Sequence, residues 1–320
     1  MSSSAIASRI TVRQLREDDL PSADRIFRLA FGTFLGLPDP LQFFGDADYV
    51  RTRWRANPQT AFAAEYKSEL AGSNFAALWG SFGFFGPLTI KPDFWDQGLG
   101  KRLLEPVMDL FEQSRTVHTG LFTFAQSPKH VHLYQKYGFW PRFLTAIMSK
   151  PVKQPEKHRQ AVRYSELSDD QRAEATAACR ELTDSIFDGL DVTAELTSVK
   201  TQGLGETVLL YDHSRLDGFA ICHCGPGTEA GGGACYIKFG AVPSGSRAGT
   251  QFEQLLDACE MLAIERGLQR LVAGMNFARR EAFQILDARG FRTDFQGVAM
   301  ERPNGPGYNR PGVYVIDDWR

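Results

Sequence analysis

Cysteine, net charge and long apolar runs are all scarce in this sequence, and each scarcity argues against a class of protein. Five cysteines among 320 residues do not make a disulfide framework and fit a reducing compartment. The formal net charge of −2 and the lack of a basic run argue against a broad nucleic-acid footprint. No segment reaches about 18 uninterrupted apolar residues, and residues 1–9 lack the apolar core of a signal peptide. We therefore expect a cytoplasmic protein with neither a nucleic-acid nor a membrane partner.

What the sequence does contain is typical of a soluble globular chain. Hydrophobic residues make up 43% and charged residues 23% of it, which is an ordinary composition. A chain of this length holds two domains of usual size or one large one.

One stretch, residues 90–104, predicts an anion site. It passes from an apolar strand through the turn Gln97-Gly-Leu-Gly100 into a helix that begins with Leu103 and Leu104 on its apolar face. A glycine-rich turn that opens a helix leaves N–H groups free at the positive end of the helix dipole. The spacing is neither that of a dinucleotide fingerprint nor that of a P-loop.

The remaining pattern predicts alternating strands and helices in the first half of the chain. The predicted elements are a strand at 10–15, helices at 20–30 and 46–56, strands at 61–66 and 75–79 separated by a turn at 67–72, a helix after Gly100 bent at Pro106, a strand at 121–124, a helix at 128–137 and a strand at 143–148. This alternation predicts an α/β fold.

The second half repeats the first at a constant offset of 152 residues. Leu103-Leu104 recurs as Leu255-Leu256, Gly138-Phe139 as Gly290-Phe291, and Pro151 as Pro303. A polar segment with two prolines lies between the copies. The predicted domains are therefore 1–150, a linker at 151–160, a second domain at 161–302 and a tail at 303–320.

The second copy keeps the scaffold and loses the polar parts. Thr250 stands opposite Gly98, Phe252 opposite Gly100, and Leu286 opposite Tyr134. A separate glycine-rich turn at 243–249 still offers an anion site beside Arg247.

In order and spacing, the elements of the first copy resemble the GNAT superfamily of acyl-CoA-dependent N-acetyltransferases. The resemblance covers residues 10–150, and more weakly 161–302, and it rests on Gln97-Gly-Leu-Gly100 and on Leu133-Tyr-Gln-Lys-Tyr-Gly-Phe139. It implies two tandem GNAT-like domains, each with a mixed sheet flanked by helices, and a second copy that is degenerate.

The resemblance also implies where acetyl-CoA would bind. Backbone amides over Gln97, Gly98, Leu99, Gly100, Lys101 and Arg102 would hold the pyrophosphate, the strand end Leu88, Thr89 and Ile90 would pair with the pantetheine arm, and Ser127 would lie near that arm. Trp95 departs from the family pattern, because an arginine or glutamine usually stands there. No metal is expected.

Catalysis, by the same resemblance, would use Tyr134 as the acid that protonates the leaving thiolate. The competing interpretation is an aromatic residue buried against the sheet. No general base is marked by the sequence, and Glu65, His118 and His132 are equal candidates.

Cys222-His223-Cys224 suggests a metal site at first sight. On a strand, however, the cysteines point to one face and the histidine to the other, so a buried strand is the preferred interpretation. The apolar segment 313–316 predicts a terminal strand that docks on a sheet and brings Asp317 or Asp318 toward a cleft between the copies.

The sequence thus predicts an N-acetyltransferase that moves an acetyl group from acetyl-CoA to a primary amine of a small molecule or peptide, as a monomer or homodimer, with the first copy catalytic. Two alternatives stay open: a non-catalytic acyl-CoA-binding or sensing protein, and catalysis by the second copy through Arg247 and residues around Asn276.

Overall fold

A single mixed sheet of fourteen strands, flanked by eight helices, runs through both halves of the chain in the computed structural model, which describes residues 10–155 and 159–320. The first half contains β1 (Ile10–Gln14), α1 (Leu20–Phe34), α2 (Val50–Ala56), β2 (Ala61–Tyr66), β3 (Glu69–Trp79), β4 (Phe82–Phe85), β5 (Thr89–Ile90), α3 (Leu99–Gln113), β6 (His118–Thr123), α4 (Pro128–Gln135) and β7 (Trp140–Pro151).

The second half repeats this order. It contains β8 (Val162–Arg163), α5 (Asp169–Ile186), α6 (Thr193–Gln202), β9 (Gly205–Asp212), β10 (Arg215–Gly225), β11 (Gly231–Ala241), α7 (Ala248–Glu265), β12 (Arg270–Asn276), α8 (Arg280–Ala288), β13 (Arg292–Arg302) and β14 (Val315–Ile316). Three of the residues between the two halves, 156–158 in the predicted linker, lie outside the described part. The mixed α/β fold and its repetition confirm the predicted fold class.

The predicted turn at 67–72 is wrong in length. The turn consists of Lys67 and Ser68, which have φ of 51° and 66°, and β3 begins at Glu69. Leu70 and Ala71 belong to β3 because they pair with or lie beside β2 residues, and Ala71 is fully buried. Lys67 and Ser68 have the left-handed conformation that glycine usually adopts in a turn. Because neither residue is glycine, no residue type marks the true turn.

Sheet register in the two halves follows the sequence offset. Parallel pairing of β4 with β6 places Phe82 opposite His118. Parallel pairing of β11 with β12 places Ala234 opposite Arg270, and each of these residues lies 152 positions after its counterpart. The repeat is therefore one of structure as well as of sequence.

The two copies exchange strands where they meet. The central order of the sheet is β6-β13-β7-β12, so β13 of the second copy lies between two strands of the first, and β7 of the first lies between two strands of the second. Thr145 of β7 pairs with Gly297 of β13, which is its own counterpart at the offset of 152. An approximate two-fold axis therefore passes through this pair, and each copy completes the sheet of the other.

Apolar side chains are buried on both faces of this sheet. In the first copy, α1 and α2 cover one face through Phe27 and Val50, and α3 covers the other through Leu103 and Leu104. A further cluster joins the copies, since Trp79 of β3 packs edge to face on Phe239 of β11 with ring centroids 5.4 Å apart. Within the described ranges, the helices are all too short or too polar to cross a bilayer.

Candidate active site

A notch opens in the first copy where β4 and β6 part. The two strands pair from Phe82 as far as Phe84, which lies opposite Gly120. The chain then leaves β6 at Gly86, and β5 pairs with β3 instead, with Thr89 opposite Ser73. The strand end Leu88 to Ile90, predicted to meet the pantetheine arm, therefore lies on the β3 side of the notch.

The turn before α3 has the geometry of an anion cradle. Asp96 and Gly98 have φ of 62° and 82°, and α3 begins directly afterwards with Gly98 as its N-cap. The first-turn N–H groups, starting with those of Leu99, Gly100 and Lys101, have no partner inside the helix. The N-cap residue Gly98 is exposed, so the positive end of the helix dipole lies at the surface.

Side chains of this loop close it onto itself. The indole N–H of Trp95 donates to the carbonyl of Ile90 at 2.8 Å, and the Gln97 side-chain amide donates to the carbonyl of Asp93 at 2.9 Å. Asp96 forms an ion pair with Lys129 at the start of α4. Trp95 and Gln97 therefore shape the loop, and main-chain N–H groups remain as its donors to an anion. The Lys101 and Arg102 side chains add positive charge beside them.

Gly100 sets the distance between the loop and α4. A β-carbon at Gly100 would lie 3.2 Å from Leu133 and 3.5 Å from Ile90, which is tight packing. At Gly98 a β-carbon would meet nothing within 4 Å. Gly100 is thus required for close packing of α3 on α4. Gly98 allows the left-handed backbone of the turn and leaves space for an anion beside the N–H groups.

Tyr134 is buried on the same face of the sheet, next to the notch. Its ring lies edge to face with Phe85 and packs in one cluster with Leu88. Burial raises the pKa of Tyr134 well above its usual range, and a side-chain hydrogen bond with Thr123 offsets part of this effect. The phenol is therefore protonated at neutral pH, which is the state a proton donor needs.

Ser127 lies at the other side of the notch as the N-cap of α4. Its hydroxyl oxygen accepts from the main-chain N–H of His130 at 3.4 Å. This cap holds the start of the helix that carries Tyr134. The structure thus brings the strand end, the loop, Ser127 and Tyr134 around one notch.

The three base candidates do not converge on the notch. Glu65 forms an ion pair with Arg13 at the β1 edge, and the hydrogen bond from Arg13 lowers the pKa of Glu65. His118 is buried two residues before the strands part and shares a hydrogen bond with Glu301 at 2.6 Å. His132 is exposed on α4.

In the second copy the corresponding notch is occupied by the chain itself. β14 pairs with β11, with Ile316 opposite Gly240 and Val315 opposite Ala241. These two β11 residues correspond, at the offset of 152, to Leu88 and Thr89. The tail therefore covers the strand segment that is open in the first copy.

Other features of the second copy also differ from a cofactor cradle. Phe252 is fully buried where Gly100 stands in the first copy, and Arg247 is paired with Asp212 at 3.0 Å. Asn276 donates to the Thr145 hydroxyl at 3.1 Å and accepts from the N–H of Ala278. Arg247 and Asn276, the two residues of the second-copy alternative, are thus engaged in structural contacts.

The Cys222-His223-Cys224 segment lies within β10, as expected. The sulfur atoms of Cys222 and Cys259 are 3.9 Å apart, as are those of Cys224 and Cys235, while His223 contacts Glu229. Across 10–155 and 159–320, no group of three or more His, Cys, Asp or Glu side chains is arranged to hold a metal.

Sequence reasoning missed a buried charge cluster between the copies. Glu229 accepts from Lys238 Nζ at 2.7 Å on both carboxylate oxygens and from Arg53 Nε at 2.9 Å. The Arg53 guanidinium also donates to the carbonyl of Gly86 at 2.5 Å and to that of Arg320. Arg53 and Glu229 are 176 residues apart, and no local pattern links them.

The tail reaches this region after β14. Arg279, which is fully buried, donates to Asp317 at 2.5 Å, and the hydroxyl of Tyr236 donates to Asp318 at 3.1 Å. The Trp319 ring packs on Phe82 with centroids 4.9 Å apart. The tail thus crosses the interface of the copies as expected, and both aspartates are held in structural contacts.

Together, the tandem mixed sheets, the notch between parting strands and the helix N-terminus beside it define an acetyltransferase fold of the GNAT type. Solved structures with this fold align with nearly the whole chain. A protein from Pyrococcus horikoshii, described provisionally as an acetyltransferase, has a TM-score of 0.68 at 14% identity and covers 97% of this chain and 95% of its own. A GCN5-related N-acetyltransferase from Sphaerobacter thermophilus has a TM-score of 0.60 at 15% identity, with 95% and 97% coverage.

Sequence comparison identifies the family of the first copy. Residues 24–139 match the model of the acetyltransferase (GNAT) family, so the first half of the chain contains a GNAT acetyltransferase domain. The search of curated proteins finds no match.

Proposed function

We propose that this protein is an N-acetyltransferase that transfers the acetyl group of acetyl-CoA directly to a primary amine, and that the first copy carries the reaction. The observation that supports this most is the convergence, in one copy, of the open notch, the N–H groups without helical partners at the start of α3 and the buried phenol of Tyr134.

The reaction needs one proton donor on the side of the leaving group. The amine nitrogen attacks the thioester carbonyl carbon, a C–N bond forms, the C–S bond breaks, and coenzyme A leaves as a thiolate. Tyr134 would give its proton to that sulfur, and the proton released by the amine would restore the phenol through solvent. Burial raises the pKa of the phenol and keeps Tyr134 protonated before the reaction, and the hydrogen bond with Thr123, which lowers that pKa, favours release of the proton.

The same features favour the first copy over the second. The second notch is filled by β14 and its cradle position by Phe252, so a pantetheine arm would have to displace a buried strand. We infer one coenzyme A site per chain. Equilibrium titration with coenzyme A measures this number directly, and two sites of similar affinity would contradict it.

A non-catalytic acyl-CoA sensor is the second candidate. It is favoured by Trp95, whose N–H is used within the loop, and by the lack of a base at the notch among Glu65, His118 and His132. Release of free thiol from acetyl-CoA across a panel of amines separates the two functions. Release that depends on an amine supports the transferase, whereas coenzyme A binding without release on any amine supports the sensor.

The acceptor class remains broad at this level: a small-molecule or peptide amine. The cytoplasmic location and a monomeric or homodimeric state likewise stay predictions. Size determination in solution tests the second of these.

A further inference from the structure

A cavity of about 100 Å³ lies between the two copies, on the face of β4 opposite Tyr134. Its charged and titratable lining comes from both copies: Arg53 of α2, Glu195 of α6, His223 of β10, Glu229 of the turn between β10 and β11, and Lys238 of β11. Ala56, Asn57 and Ala194 also line it and are exposed, so the cavity opens to solvent between α2 and α6. It has room for several waters or for a small organic molecule.

The cavity adjoins the notch through β4. Gly86, where the strand leaves β6, lines the cavity. The residue before it, Phe85, turns to the other face and contacts the Tyr134 ring with centroids 5.7 Å apart. One short strand therefore separates the cavity from the proposed proton donor, and an amine in the cavity would approach the thioester from the side opposite the phenol.

His223 presents an unused donor to this cavity. Its Nδ1 accepts from the main-chain N–H of Glu229 at 3.4 Å, which leaves the ring hydrogen on Nε2. His223 is only 2% exposed, and its Nε2 has no hydrogen-bond partner anywhere in the described chain. A buried N–H without an acceptor is unfavourable, and an oxygen of a bound molecule would satisfy it.

A cationic donor at this end of the cavity favours an anionic oxygen. Arg53 and Lys238 both pair with the carboxylate of Glu229, and Arg53 uses its other donors on the carbonyls of Gly86 and Arg320. Lys238 is 5% exposed and uses two N–H groups on Glu229, so a third remains. Glu195, farther along the lining, already accepts from the indole of Trp79 at 3.0 Å.

The geometry points to this cavity as the acceptor site, with His223 Nε2 and Lys238 Nζ binding a carboxylate carried by the acceptor at the end away from its amine. The two donors match the two oxygens of a carboxylate, and the small volume suits a short chain between that group and the amine. This inference rests on the proposed transferase function, and it narrows the acceptor to small amino acids.

Matched pairs of amines test the inference in the full-length protein. We compare β-alanine with propylamine and 4-aminobutyrate with butylamine, and follow thiol release from acetyl-CoA. The carboxylate member of each pair should have the higher kcat/KM, by roughly tenfold or more, because a hydrogen bond to a charged group contributes at that scale. Equal values within both pairs would overturn the inference.

Substitutions then assign the effect to the two donors. His223→Ala and Lys238→Met should raise the KM for the carboxylate member roughly tenfold with little change in kcat, and should leave propylamine and butylamine unaffected. His223→Gln keeps an N–H donor and should restore part of the affinity. His213→Ala, on an exposed turn between β9 and β10, is the matched control and should change nothing.

A binding measurement separates failure of this inference from failure of the transferase proposal. Titration calorimetry of 4-aminobutyrate and β-alanine into the protein with coenzyme A needs no turnover. Binding that His223→Ala abolishes, without thiol release, would remove the transferase function and keep the carboxylate site. Absence of binding for both compounds, or binding that both His223→Ala and Lys238→Met leave intact, would overturn the site. Stronger binding of 3-aminopropylphosphonate than of either carboxylate would overturn the choice of carboxylate.

Discussion

The ring of Tyr134 packs edge to face on Phe85, and its hydroxyl group forms a hydrogen bond with the side chain of Thr123. Removal of that hydroxyl by Tyr134→Phe should lower kcat about 10²-fold or more, because general-acid catalysis contributes at that scale. The affinity for coenzyme A should stay within about twofold, since the ring and its packing remain. Steady-state kinetics and coenzyme A titration measure the two effects.

Tyr211→Phe is the matched control for Tyr134, because it removes a phenol from β9, in the second copy. It should leave both kcat and affinity unchanged. Full turnover in Tyr134→Phe would remove the proposed proton donor.

Substitution of Gly98, compared with that of Gly36, tests the anion cradle separately from backbone strain. Gly98→Ala places a methyl group at a φ of 82°, which should cost about 1–2 kcal/mol of stability, and it should weaken coenzyme A binding by roughly tenfold because the methyl group lies above the free N–H groups. Gly36→Ala imposes similar strain at a φ of 68°, also with nothing within 4 Å, but lies in the turn after α1. It should lower stability alike and leave coenzyme A affinity unchanged, as titration will show; equal losses of affinity in both variants would argue against the cradle.

At the scale of elements, local pattern predicted most of what forms the candidate site. The apolar stripe of α3, the glycine turn and the helix that carries Tyr134 all depend on residues within one turn or one strand of each other. The misplaced turn at 67–72 shows the limit of local pattern, because pairing with β2 extends β3 back to Glu69, through a segment that ends in Gly72 and is turn-like in isolation.

Contacts between distant elements could not be predicted from the sequence, for a physical reason. Arg53, His223 and Lys238 belong to no motif within their own segments. They form a site only where α2, β10 and β11 meet in the folded protein. In the same way, the sequence predicts that segment 313–316 is a docked strand. It does not predict the position of this strand in the second notch, because that position depends on where β11 and β12 separate.

The docked tail is a structural element by its burial. Ile316 is fully buried against β11 and α7, so Ile316→Ala should lower the free energy of unfolding by about 2–5 kcal/mol. Ile264→Ala, at a position 36% exposed, should cost less than about 1 kcal/mol. Urea titration measures both; a small loss in Ile316→Ala would contradict a tail that fills the second notch.

At the scale of the whole molecule, burial of neutral His223 between the copies makes stability depend on pH. Burial lowers the pKa of His223 to about 3 from 6.5. Between these values the unfolded chain binds a proton that the folded protein does not, so the contribution of His223 to stability is complete above about pH 6.5 and is lost as pH falls toward 3.

The expected loss from this one group is about 2 kcal/mol between pH 7 and pH 5. Denaturant titrations at the two pH values should show a smaller loss in His223→Gln than in the unsubstituted protein. His213→Gln, at a position exposed to solvent, should behave like the unsubstituted protein. An identical pH dependence in His223→Gln would show that His223 is not buried in its neutral form.

Strand exchange makes the two copies one folding unit. β13 pairs with both β6 and β7 of the first copy, and it contributes the buried side chains Val298 and Met300 to the core beside Tyr134. Without β13, residues 10–155 would expose the edges of β6 and β7 and lose part of that core, and exposed edges favour aggregation or exchange of β7 between two chains.

We therefore expect residues 10–155 alone to be insoluble or dimeric, and the two halves produced together to form a soluble one-to-one complex that binds coenzyme A. Sedimentation and chemical denaturation test this. A monomeric first half that unfolds cooperatively would show that its notch does not need the second copy. The physical role of the second copy would then be limited to the cavity at Gly86, since β13 would no longer be required to hold β6 and β7 in place.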